Sequence, residues 1–186
     1  MTQNLDKNQK VLLKNNQEEN NVVRTSLMQA LLLLLKEKKL ESISITELAK
    51  NAGVSRNAYY RNYKSKDDLL NSYLDELIEK FSKTLNNYDP VSETKESWDA
   101  ILSMIKDYHI QYQILLYAGY ENLILERAEK ILDKKEPGKI YMNHFWLGGV
   151  FSVINLWCRT DFKASKSDLI VLGSKMMSKG IKSWEI

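Results

Sequence analysis

Arg56, Asn57, Tyr60 and Arg61 gather two guanidinium groups, an amide and a phenol within two helical turns. These groups hydrogen-bond the edges of nucleic-acid bases and the phosphates beside them. A guanidinium from Arg56 or Arg61 can take both major-groove acceptors of a guanine, and the Asn57 amide can pair with adenine. Each good pair supplies about 1–3 kcal/mol of discrimination. Thr46, Ser55 and Asn62 add short polar groups on either side. Such chemistry needs a rigid mount that projects these side chains together.

The surrounding residues supply one. Residues 42–66, SISITELAKNAGVSRNAYYRNYKSK, read as two short helices joined by a turn that contains a glycine, the form of a helix-turn-helix. Ser44 stands three residues before Glu47, a capping-box spacing that starts a helix, and Leu48 and Ala52 are its inward apolar positions. Gly53 permits the sharp turn. Ser55 caps the second helix, in which Tyr59 and Tyr63, four apart, share a packing face while Arg56, Asn57, Tyr60 and Arg61 lie on others.

The order and offsets over residues 22–80 closely resemble the N-terminal domain of the TetR family of transcriptional regulators. The residues that carry the resemblance are Leu27, Ala30, Leu31, Leu34 and Leu35 in a first helix, then Ile45, Leu48, Ala49, Gly53, Val54 and Ser55, then Tyr60, Tyr63, Lys66, Leu69 and Leu70. Lys39 departs from the glycine usual before the second helix, and Asn57 and Ala58 replace the small pair common early in the third. The second departure bears on which sequence is read. The resemblance implies that Ser44, Tyr60 and Lys66 clamp phosphates, with Thr46, Ser55, Arg56, Asn57, Arg61 and Asn62 near the bases.

Charge is distributed in keeping with that expectation. Residues 22–66 hold nine Lys and Arg against three Glu, a balance of +6; residues 67–186 hold fifteen against eighteen, a balance of −3; residues 1–21 sum to zero. A basic module on a mildly acidic body is the footprint of nucleic-acid binding by one end. Lys36, Lys38 and Lys39 alone would read as a solvated helix end.

Only seven Gly and two Pro among 186 residues, with long stretches of Leu, Lys, Glu and Ala, indicate an all-α protein. The expected architecture is a three-helix, helix-turn-helix DNA-binding domain followed by a helical ligand-binding and dimerisation body. The expected division is a flexible polar arm over residues 1–20, the DNA-binding domain over 21–66 and the regulatory body over 67–186. The single cysteine, Cys158, excludes an internal disulfide. The longest purely apolar run, Leu31 to Leu35, is far too short to span a membrane and no cleavage site follows it. A cytoplasmic protein is expected.

The first helix should run from Asn21 to Lys38, its consecutive leucines sending Leu32 or Leu33 towards something beyond the small head. A bridging helix should start at Ser65, with Ser65 and Asp68 at capping spacing, and end near Asn86, before a hinge at Asn86 to Ser92. Further helices are expected over Glu93 to His109, Tyr112 to Tyr117, Glu121 to Lys134, Ile140 to Arg159 and Ser167 to Trp184.

The last two helices resemble the C-terminal region of DhaS-like members of the family, through His144, Phe145, Gly148, Gly149, Ile154, Trp157, Leu169, Leu172 and Met176. The first of the pair is apolar along two lines, Trp146, Gly149, Val150, Val153 and Trp157, and Leu147, Phe151, Ile154 and Cys158. A helix apolar nearly all round must be covered on both sides, by the rest of one monomer or by a second subunit. The resemblance implies a homodimer through these two helices.

The body is dense in aromatics with polar handles, which suit either plain core or an apolar pocket with a few directing hydroxyls. With a small-molecule effector implied by the resemblance, Tyr73, Leu77, Trp98, Tyr108, Tyr112 and Trp146 are the candidate ligand-binding residues. His109 and His144 have no Cys, His or Asp at metal-ligand spacing, and Cys158 lies in an apolar line. No phosphate loop or nucleophile elbow appears, so neither cofactor, metal nor enzymatic activity is expected. The implied function is a dimeric repressor released from an inverted-repeat operator by its effector. A co-regulator acting through a partner protein and a helical interaction module without ligand response are the alternatives.

Overall fold

The computed structural model describes residues 7–88, 93–135, 138 and 140–182. Among them the secondary structure is helical throughout: α1 (Lys7–Leu35), a 3-10 turn (Leu40–Ser42), α2 (Ile45–Asn51), α3 (Arg56–Asn62), α4 (Lys66–Leu85), α5 (Thr94–Asp107), α6 (His109–Tyr117), α7 (Glu121–Lys135), α8 (Ile140–Arg159) and α9 (Lys166–Lys182). The all-α expectation holds. Packing divides the chain into two units, one ending at Tyr73 and one beginning at Leu74. The sequence reading placed that seam after Lys66; the first turns of α4 instead pack with the head.

α1 begins at Lys7, so residues 7–20, expected to be a flexible arm, are helical. With no Gly or Pro among them, nothing stops the helix nucleated by the leucine-rich segment from propagating backwards. Residues 1–6 lie outside the described residues. So do Pro90 and Pro137, expected to break the chain, and the expected helix end at Trp184.

The head closes on Leu27, Leu31, Ile43, Leu48, Tyr59, Tyr63 and Leu69, all buried. Leu32 is buried and Leu33 is 58% exposed, which resolves the ambiguity of the leucine run. In the body, α5 packs tightly on α9: a Cβ placed on Gly173 would lie 2.1 Å from Cε2 of Trp98. The same helices are tied by Lys166, whose ammonium meets Asp99 at 2.7 Å and the Ser103 hydroxyl at 2.5 Å. α6 joins α8 through the Tyr112 hydroxyl, which donates to Asn155 Oδ1 at 2.7 Å, and the Gln113 amide, which donates to the Cys158 carbonyl. α7 joins α4 through Arg127 and Asp75. After α8 the chain turns through Asp161 and Phe162, both left-handed at φ of 53° and 56°. Phe162 meets Trp157 edge-on there, and the Trp157 indole N–H donates to the Ala164 carbonyl.

Candidate nucleic-acid interface

The two short helices of the head are capped as their sequence demands. Ser44 Oγ accepts the Glu47 N–H at 3.1 Å. The Glu47 carboxylate lies 2.5 Å from Lys38 Nζ and is held below the usual carboxylate range, first by that hydrogen bond and also by the Ser44 backbone N–H. The serine half of a capping box is therefore formed, and the Glu47 carboxylate is engaged by Lys38. At the other end Gly53, at φ of 66°, lets its own N–H reach Lys50 O and that of Val54 reach Ala49 O, a Schellman stop that an L side chain would strain. Two residues on, Ser55 Oγ accepts the Ala58 N–H and starts α3.

On α3, Ala58 and Tyr59 turn inward, with Tyr63 following. Burial, then the nearby Tyr60, Asp68 and Asp67, push the Tyr59 phenol up to about 12, so it is a neutral packing group. Arg24 from α1 lies 5.5 Å from the centre of the Tyr63 ring and donates to Ser72 Oγ, which fixes the back of the helix. Thr46, Ser55, Arg56, Asn57, Tyr60 and Arg61 are exposed. Tyr60 stands edge-on against Tyr59 with ring centres 5.3 Å apart, so its phenol is braced yet open. Asn62 is half-buried and donates back to Ala58 O at 2.9 Å, which turns part of its amide to the helix. A hollow of about 350 Å³ opens between Arg61 and Glu19, Asn20 and Val23 of α1. It sets the polar end of α1 beside α3, a neighbour that the local spacing of Arg61 could not reveal.

Lys66 is placed differently from the expectation. Its ammonium donates to Leu40 O at 2.6 Å, Glu41 O at 3.1 Å and Ile43 O at 2.6 Å. Lys38, counted in the basic module of the sequence, is the partner of Glu47.

The six ligand candidates fall on several elements. Tyr73 belongs to the first unit, and the others to the second. Leu77, Trp98 and Tyr112 are buried. Trp98 is set against Gly173 of α9, and Tyr112 against Asn155 and Phe151 of α8. Tyr108 is half-buried with Lys80 Nζ 5.6 Å from its ring centre, and Trp146 is half-buried on α8.

α8 corrects the expected pattern of faces. Val150, Phe151, Ile154, Trp157 and Cys158 are buried and Trp146, Leu147 and Val153 half-buried, so both expected apolar lines turn largely towards their own chain. Of those lines only Gly149 is exposed. A third line, Tyr141, Phe145, Gly149, Ser152 and Leu156, faces out, and Leu172 and Met176 of α9 are exposed as well. Among the described residues, and apart from the helix's own backbone, no atom lies within 4 Å of a Cβ built on Gly148 or Gly149. His144 holds both of its ring nitrogens against α7: Nδ1 is 3.1 Å from Glu129 and Nε2 is 2.9 Å from Asp133. Sequence spacing missed that cluster because its partners lie on another helix.

Burial pushes the Cys158 thiol up to about 12, which leaves it inert. Among the described residues no cluster of three or more His, Cys, Asp or Glu side chains can hold a metal, and no helix is long and apolar enough to cross a membrane.

Residues 27–73 match the model of bacterial regulatory proteins of the tetR family. No curated protein matches the chain. Among solved structures, a Listeria innocua protein has a TM-score of 0.65 at 16% identity, with 100% of this chain and 97% of that one covered. The fatty acid degradation regulator FadR of Bacillus halodurans has a TM-score of 0.56 at 18% identity, covering 86% and 96%. The dihydroxyacetone kinase operon activator DhaS has a TM-score of 0.55 at 15% identity, covering 88% and 98%. At these identities the likeness is one of fold.

Proposed function

We propose that this chain, whose residues 27–73 match the tetR-family N-terminal domain, is a DNA-binding transcriptional regulator: a dimeric repressor that reads an inverted-repeat operator and is released from it by a small-molecule effector. The observation that carries the reading is the exposed ridge of Arg56, Asn57, Tyr60 and Arg61 on a helix whose other face is locked into the head. In this proposal Arg56, Asn57 and Arg61 read base edges, with Thr46, Ser55 and Asn62 beside them. Ser44 and Tyr60 hold phosphates, while Lys66, proposed from the sequence for the same role, is engaged by backbone carbonyls in the DNA-free protein.

A single head of this size covers one half-site, and two related by a twofold axis enter successive major grooves about 34–36 Å apart. The outward line on α8, with Leu172 and Met176 on α9, supports a homodimer through those helices. Gly149 in that line would let a second helix approach closely. The effector site is proposed among the body residues Leu77, Trp98, Tyr108, Tyr112 and Trp146; Tyr73 is a separate ligand candidate in the first unit. An effector releases DNA only to the extent that it prefers the body conformation in which the two heads are out of register.

Selection of bound sequences from random duplex DNA by the purified protein tests the reading. Enrichment of an inverted repeat is expected. No enrichment from a protein that is dimeric would favour a co-regulator working through a partner protein.

A further inference from the structure

We infer that Lys66 is a positioning residue of the reading head, tying the first turn of α4 to the backbone that launches α2, and not a phosphate clamp. The inference rests on the DNA-reading function above. An ammonium group carries three N–H donors and no acceptor. Leu40, Glu41 and Ile43 offer three carbonyl oxygens at 2.6, 3.1 and 2.6 Å, so every donor of Lys66 is engaged and none is left for a phosphate oxygen.

What those carbonyls belong to gives the tether its use. Leu40 and Glu41 lie in the 3-10 turn, and Ile43 directly precedes Ser44, the cap of α2. On the far side of the same stretch, Lys38 grips Glu47 in the first turn of α2. The entry to α2 is thus held from the turn after α1 by Lys38 and from α4 by Lys66. α2 in turn ends in the Schellman stop from which Ser55 starts α3. The start of α2, and through it the start of α3, is therefore positioned by the Lys66 tether.

Two variants separate tethering from clamping. Arginine keeps the charge and binds phosphate well, but its planar fork cannot direct three donors onto three converging carbonyls. Lys66→Arg and Lys66→Met should both weaken binding to the selected inverted-repeat duplex on the order of tenfold. The slope of log affinity against log salt should not change. In the DNA-free protein, amide exchange over residues 43–48 should quicken in both variants. The inference is overturned if Lys66→Arg binds like the parent while Lys66→Met loses about 0.9 from the salt slope, the signature of one lost phosphate contact. Should the parent itself select no duplex, the DNA-reading proposal fails separately, and exchange in Lys66→Arg still decides the tether: unchanged protection rejects it.

Discussion

Arg56 and Lys66 are both cations of the same helical head, yet one stands open on α3 and the other is consumed by carbonyls. At the scale of single residues this difference determines what each substitution does. Arg56→Ala should cost about 1–3 kcal/mol on the selected operator and far less on random duplex, so the specificity ratio falls; equal losses on both, measured by fluorescence anisotropy, would make Arg56 a phosphate contact instead. Ser44→Ala removes the acceptor for the Glu47 N–H and should lower the stability of the head by about 1 kcal/mol in urea unfolding. The capping serines, Gly53 and the outward residues of α3 were legible in the sequence, because each acts within four or five residues of itself. Lys66 was not: its acceptors lie 23 to 26 residues upstream, and no local spacing encodes that reach.

Elements meet where side chains and backbone compete for one volume, and the α5–α9 seam is the tightest such place. Gly173→Ala would drive a methyl into the Trp98 indole. It should destabilise the body by about 1–3 kcal/mol, with Trp98→Leu partly restoring the loss; thermal unfolding of the single and double variants gives the comparison. After α8, Asp161 carries a left-handed backbone at φ of 53° while exposed. Asp161→Gly should gain about 0.5–1 kcal/mol, the relieved backbone strain less the extra freedom of the unfolded chain. Periodicity located α8 almost to the residue, because twenty residues rich in apolar groups and bounded by loops can form little else. It did not single out the line that faces outward. The outward line also carries large apolar groups, Tyr141, Phe145 and Leu156, with Ser152 among them, and the placement of α6 and α7 against α8 selects among the lines.

For the whole molecule, proton binding and assembly are the measurable quantities. Asp133, and after it Glu129, hold the His144 imidazole above its ordinary value of 6.5. A folded-state value raised in this way gives stability that is fully present below the ordinary value and is lost as pH rises through the raised one. The melting temperature of the parent should therefore exceed that of His144→Gln at low pH, and the two should converge as His144 deprotonates. A constant difference across that range would remove the charge from the account. Leu156→Glu, placed in the outward line of α8, should convert a dimer into a monomer by light scattering while leaving the fold intact by circular dichroism. The all-helical class and the charge asymmetry of the chain were plain in composition. The helical state of residues 7–20 was not, since polar composition was read as disorder where helix propagation was the stronger effect.

The most direct test of paired reading heads is the footprint of the protein on its selected duplex. Two protected major-groove patches about one helical turn apart, each weakened by Arg56→Ala, are predicted. A single patch, or protection that ignores Arg56, would contradict a dimer that reads DNA through α3.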